Sequence, residues 1–541
     1  MKKPLLTAFV LAVTVTLSGQ RVADQTYWFY FTDKQNNGYS ISQPHEFLSQ
    51  RSLERRAWQS IPVDQADLPV TKSYVDSLAS LGLEIRHTSK WLNGVLVTTA
   101  DTSLADTLHM LSFIDTIPWK PVDTKYFPVV KSPSRFEPPH TTPPMFRYGL
   151  SGMQIWQLEL EYLHERGYTG SGVLLTVLDA GFSNFNNLPS FLGPVANGQI
   201  IASRNFVQKN QNVYNSHSHG TSVSSIIVAN WPDTLMGGAP DVQIILAITE
   251  NAFSETRVEE YSWIEAAEWA DSLGTDIINT SLGYTTFDDS TTNYTYEDMD
   301  GKTAHISIAN SMTASRGIIS VTSAGNSGNT SWRYIGAPAD ASDILAIGAV
   351  DGWGQLASFS SKGPTYDHRI KPEVSAMGSQ TAVQSADGTA KLGYGTSYAS
   401  PMIAGATAVL WQAYPALTSN ELMRWIIKAG DRYGSPDTEY GYGIPNYRKA
   451  YQAISTIDLA TLHTGLKIYP NPVSDYFYVE IPEGTTGRLD LKMFDIRGGL
   501  IHADEIKMPG RIDIPSSLTP GMYIIEINDG MRFFRSRIIK N

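Results

Sequence analysis

The 541-residue chain contains no cysteine. Disulfide staples, a thiolate nucleophile and Cys-ligated zinc are therefore excluded. A chain with a large core manages without disulfides even outside the cell. Basic residues are in deficit, with 41 Lys and Arg against 53 Asp and Glu and a formal net charge of −12. No basic block interrupts that balance, which argues against a nucleic-acid partner. Beyond the first twenty residues no run is long and apolar enough to cross a bilayer, so no membrane span is expected after leader removal. What is present is a 42% hydrophobic, 17% charged composition. That is the balance of a globular protein, and the length calls for several domains.

The start, "MKKPLLTAFVLAVTVTLSGQ", has two lysines, an apolar stretch and then Ser18 and Gly19. This three-part pattern predicts a signal peptide over 1–20 and hence export. With no cysteine behind the apolar run, lipid attachment at that point is excluded. Residues 21–130 read as a small α/β domain. "TYWFYF" is a strand, and Tyr74, Leu78 and Leu81 share a helical face that stops at Gly82. "EIRHTSKWLNGVLVTTA" is two strands about a turn at Asn93–Gly94. Residues 131–149 hold five prolines in nineteen positions and read as an exposed linker. From 150 to 457, runs apolar on both faces alternate with helical stretches: "GVLLTVLDAGF", "VQIILAIT", "DIINTSLGY", "GIISVTSAGN", "DILAIGAVD". Such strands belong to a parallel sheet with helices on both faces. Residues 463–541 alternate in short strands and predict a small all-β sandwich. The fold class expected is α/β, flanked by these two smaller domains.

Ligands collect at the carboxyl ends of strands in such sheets. "TVLDAGF" ends a strand on Asp179, "SHSHGTSV" sets His219 before a helix of small residues, and "GYGTSYASP" sets Ser397 at another helix start. A serine hydroxyl becomes a competent nucleophile when an imidazole takes its proton and a carboxylate holds that imidazole in the right tautomer. Glycine and threonine before Ser397 let the backbone turn sharply, and the helix behind aims free N–H groups at the reacting carbonyl. Pro401 is expected in the first turn, where a missing N–H costs nothing. Singly, each of these residues reads as a turn or cap. In the order Asp, His, Ser they read as catalysis.

"LLTVLDAGF", "HGTSV" and "GTSYASPMIAG" resemble the signature segments of the subtilisin-like serine peptidases. "GGAPDVQIILAI", "DIINTSLG", "SAGNSG", "FSSKGP" and "KPEVSAMG" follow in family order. The resemblance covers roughly 150–455 and implies a serine endopeptidase working through an acyl-enzyme. It implies catalytic roles for Asp179, His219 and Ser397, and an oxyanion donor at Asn326 beside the Ser397 N–H. It also implies that Ser281, Leu282 and Gly283, with Ser323, Ala324 and Gly325, line the substrate cleft. A polypeptide substrate would add as a strand along 281–283. Ser222 and Tyr398 depart from the family pattern, where histidine and methionine are usual. The chemistry requires no cofactor. Many subtilases bind structural calcium, and Asp298, Asp300 and Gly301 hint at a loop for it. Their spacing differs from an EF-hand, so a solvated tyrosine-rich loop is expected over 287–307.

The N-terminal domain resembles a subtilase propeptide, with "SKWLNGVLV" similar to those of a Bacteroidetes group. Its final strand is expected in the substrate groove, and its removal by a cut within 131–150. The tail, with Tyr469, Pro470, Asn471 and Pro472 and later Gly521, Met522 and Tyr523, resembles a type A sorting domain of the type IX secretion system. The resemblance implies passage across two membranes through that machinery, followed by release or surface attachment. The alternative from a different class is a catalytically silent protein of the same fold that binds peptides at the cell surface.

Overall fold

The computed structural model describes residues 20–23, 25–118, 120–122, 124–128, 136, 140 and 146–461. In the tail it describes 467–480, 488–495, 500–507, 511–514, 518–528 and 533–540. The leader expected over 1–20 falls almost wholly outside these residues, as does most of the proline-rich segment.

The N-terminal unit is an antiparallel sheet built on β1 (Thr26–Phe31), which pairs with β3 (Gly94–Thr98). β2 (Glu84–Ser89) joins β3 through a turn over 90–93, so Gly94, expected in the turn, instead opens β3 opposite Ser89. Alternation along β1 decides its two faces. Phe29 and Phe31 pack with Leu78, Val95, Val97 and Leu108 beneath the helices Lys72–Ser80 and Thr102–Leu108. Leu81, expected on that apolar face, caps the first helix instead and is 45% exposed. The opposite face of β1 carries Trp28 and Tyr30 against the large domain.

The large domain holds seven strands in one sheet. In chain order they are β4 (Leu174–Asp179), β5 (Ile200–Asn205), β6 (Gln243–Ile248), β7 (Ile277–Thr280), β8 (Ile319–Ser323), β9 (Leu345–Val350) and β10 (Val374–Met377). They lie β10-β9-β8-β7-β4-β6-β5, every pairing parallel. Strands β4, β7, β8, β9 and β10 are buried at every residue because helices cover both faces. On one face lie α2 (His219–Val228) and α5 (Thr396–Ala413), which share a core with Ile226, Ile403 and Val409. On the other lie α3 (Arg257–Leu273) and α4 (His305–Ser315). These two helices receive the N-terminal unit. Trp28 stacks on Tyr261 with centroids 4.7 Å apart, and His305 is hydrogen-bonded between the Tyr30 and Tyr261 hydroxyls at 2.7 and 2.6 Å.

That interface is also charged. α1 (Gln50–Trp58) presents Arg55 and Arg56, both fully buried, to Asp271 of α3. Asp271 accepts from Arg55 at 2.5 Å, from Arg56 at 2.9 Å to each oxygen, and from Lys90 at 3.3 Å. Burial alone would lift this carboxyl, but the surrounding cations hold it well below the usual carboxylate range.

Residues expected to form an exposed linker are partly seated on the large domain. Phe136 is 3% exposed and meets Trp411 edge-on, and His140 bonds Asp241 at 2.8 Å. The stretch 287–307 is more packed than a solvated loop. Tyr294 and Met299 join the core, and Arg257 lies over the Tyr294 ring. Asp298 and Asp300 spend their carboxylates on the N–H groups of Thr295, Lys302 and Thr303. The tail forms two facing antiparallel sheets closed over Phe477, Leu491, Met493, Ile525 and Ile538, as its alternation predicts.

Candidate active site

Asp179 is the last residue of β4 and is 1% exposed. Its Oδ1 accepts the Ala180 N–H at 2.8 Å. His219 opens α2 with Nδ1 at 2.9 and 3.0 Å from the two Asp179 oxygens. An ionised carboxylate only accepts, so Nδ1–H donates and Nε2 is left as an acceptor. Burial lowers the His219 pKa, but the charge and hydrogen bond of Asp179, with a smaller effect of Glu250, leave it raised above its usual 6.5. Gly220 is what allows this closeness. A Cβ there would stand 2.6 Å from the Gly181 carbonyl, 2.8 Å from the Phe182 ring and 3.0 Å from the Asp179 Cβ.

Ser397 is the second residue of α5, directly behind Gly395, whose φ of +147° suits glycine. Asn326, just past β8, accepts the Thr396 N–H at 2.9 Å and its hydroxyl at 3.1 Å through Oδ1. That fixes the amide so that its NH₂ is free for the cleft. The Ser397 hydroxyl donates to the Ser281 carbonyl at 3.1 Å rather than to His219. Pro401 lies inside the helix, not in its first turn. Lacking an N–H, it leaves the Ser397 carbonyl without its helical donor, and the Ser281 hydroxyl supplies one at 3.0 Å. The proline thus ties the start of α5 to the residue that follows β7.

All these groups open into one cavity of about 410 Å³. Asp179, His219, Ser397 and Asn326 line it, as do all six residues of 281–283 and 323–325. Among the described residues none before Asp179 does, so the strand expected in the groove is not found there. The last strand described in that unit, Lys125–Tyr126, pairs with Val63–Asp64, and the one before it, Ile114–Asp115, pairs with β1. The sequence reading also missed Glu250 and Glu255, which line the cavity. The signal was available, since Glu250 stands two residues beyond β6 at the ligand end of the sheet. His217 lines it too, and its Nδ1 accepts the His219 N–H at 3.3 Å. Tyr398 sits beside the His219 ring, centroids 5.9 Å apart. Its phenol is raised by burial and by Asp179, an effect that Ser222 opposes, so the two departures from the family pattern interact. Among the described residues no group of three or more His, Asp or Glu is gathered to hold a metal.

A wholly parallel sheet with an acid–imidazole pair and a helix-borne serine at its carboxyl edge defines a serine peptidase of the α/β type. The comparisons carry this to a family. The model described as "Subtilase family" matches residues 170–443, "Peptidase S8 propeptide domain, Bacteroidota" matches 26–133, and "Secretion system C-terminal sorting domain" matches 467–541. Subtilisin of Bacillus pumilus is 32% identical over 311 residues, covering 56% of this chain and 98% of its own. Subtilisin E of Bacillus subtilis is also 32% identical, covering 56% and 71%. The thermostable alkaline protease of Halalkalibacterium halodurans is 29% identical over 299 residues, covering 54% and 72%. The chain belongs to the subtilase family. It is a subtilisin-like serine endopeptidase with a propeptide domain and a secretion sorting domain, acting on polypeptides and exported to the cell surface or beyond.

Proposed function

We propose that Ser397 attacks the peptide carbonyl while His219 removes its proton. The observation that carries this reading is the Asp179–His219 bond facing the same cavity as Ser397. Rotation about χ1 of Ser397 exchanges the Ser281 carbonyl for the free Nε2 once substrate arrives; catalytic hydrogen bonds are commonly long before that point. Asp179 fixes the tautomer and stabilises the imidazolium. The Asn326 amide and the Ser397 N–H, one of the free donors at the start of α5, hold the oxyanion. His219 then protonates the leaving amine, and water hydrolyses the acyl-enzyme. Residues 281–283 give the substrate an edge to pair with, and 323–325 form the wall for the side chain before the scissile bond.

In this reading the leader at 1–20 directs export, the tail engages the type IX machinery, and the propeptide is cut away from the enzyme. A fluorophosphonate probe tests the chemistry. Label on the processed protein that disappears in Ser397→Ala is expected. Processed protein that never labels refutes the mechanism and leaves a silent peptide binder. Intact mass and N-terminal sequencing of the exported form test the processing.

A further inference from the structure

The cleft carries two carboxylates that peptide-bond hydrolysis does not use. Glu250 and Glu255 line the cavity beside Asp179, and among the described residues no lysine or arginine does. Glu250 accepts the Tyr284 hydroxyl. The nearest basic residue along the chain, Arg257, is turned away. Its guanidinium meets the Thr292 carbonyl at 2.9 Å and lies over the Tyr294 ring. Burial pushes Glu250 up to about 7 and Glu255 up to about 8, and the charge of Glu250 adds to the rise at Glu255. Behind them Glu259 is likewise lifted to about 8 by burial, with Glu250 and Glu255 adding to it. Carboxylates that crowd one another in a substrate cleft without a counter-cation disfavour their own ionisation. A cation on the substrate relieves that.

Strand geometry says which substrate residue supplies it. A peptide paired along 281–283 turns successive side chains to opposite sides. The side chain before the scissile bond enters between 281–283, which follow β7, and 323–325, which end and follow β8. The preceding side chain therefore points the other way, toward β4 and β6. Ile248 of β6 is in register with Asp179 of β4, and Glu250 extends from that point. Phe253 stands between the two glutamates in sequence and is 98% exposed, a surface for the aliphatic stem of a long basic side chain.

We propose that Glu250 and Glu255 select polypeptides with arginine or lysine two residues before the scissile bond. This rests on the catalytic reading above. The test uses the processed enzyme and two peptides that differ only in arginine or citrulline, its neutral isostere, at that position, with the cut mapped by mass spectrometry. The arginine peptide is expected to have a kcat/KM higher by about 10- to 100-fold, the range for a hydrogen bond to a charged group. The ratio is expected to fall toward one in Glu250→Gln/Glu255→Gln. Equal rates on the wild-type enzyme overturn the proposal whether or not the double variant folds. A wild-type ratio that survives in the variant overturns it as well. Fluorophosphonate labelling separates the two layers. An enzyme that labels but does not discriminate refutes this proposal alone, and one that does not label refutes the catalytic reading and this with it.

Discussion

Replacing Asp271 by alanine asks what holds the propeptide to the enzyme. The experiment is set in the Ser397→Ala chain, so that no processing intervenes. Asp271 is the anion shared by Arg55, Arg56 and Lys90, and both guanidiniums have no exposure to water. Arg56 would keep Asp67 at 2.9 Å, and Arg55 would keep partners such as the Thr275 and Arg316 carbonyls while losing its bond to Asp271. Removing one partner of a buried pair leaves an uncompensated charge and costs about 3–5 kcal/mol. At about 1.4 kcal/mol per tenfold, undocking becomes about 10²- to 10⁴-fold more favourable. Amide hydrogen exchange reads this directly. Protection of Gln50–Trp58 should fall by that factor, while β7 and β8 in the centre of the large sheet change little. Glu84→Ala is the control, because its partner Arg86 is 39% exposed and the pair contributes at most about 1 kcal/mol. A change of less than about tenfold in Gln50–Trp58 would refute the claim that this ion cluster fastens the two units.

Asn326→Ala should lower kcat by about 100- to 1,000-fold with little change in KM, the loss known for the equivalent donor in subtilisin; steady-state kinetics decide, and a change confined to KM goes against the oxyanion role. Because His219 acts as a base only when neutral, activity should appear as pH rises through its raised pKa, placing the acid limb above 6.5. Glu250→Gln removes one of the charges lifting it, so the limb of kcat/KM should move to lower pH. Phe136 is buried against Trp411, so N-terminal sequencing of the processed enzyme should find a start before Phe136, and Phe136→Ala should destabilise that enzyme by about 3–5 kcal/mol in urea unfolding.

The three sheet-edge motifs were legible because each places its reactive residue within a few positions of a strand end or helix start. Asp179, His219 and Ser397 therefore needed only the parallel-sheet rule to be brought to one edge, whereas Asn326 came from the family resemblance. Glu250 obeys the same rule, but Glu255 depends on the path of the loop after β6, which no periodicity encodes. Pro401 was misplaced because the sequence does not show where α5 begins, and one turn separates a harmless proline from one that frees a carbonyl. The interface ions were not readable at all. Arg55 and Asp271 lie 216 positions apart, and nothing in the residues near either names the other. The groove was expected to hold the propeptide's last strand, yet Lys125–Tyr126 pairs with Val63–Asp64 and Ile114–Asp115 with β1, pairings that alternation alone does not distinguish from an intermolecular one.

At Gly220 the reach between acid and base is governed by an absent carbon atom. A methyl group there has no void to enter, since it faces a carbonyl, an aromatic ring and Asp179 itself. Alanine would act as a wedge, prising α2 away from the loop after β4 and stretching the Asp179–His219 hydrogen bond that holds the imidazole in its tautomer. A one-carbon change that touches no reacting group could thus silence the enzyme while leaving its core sheet assembled.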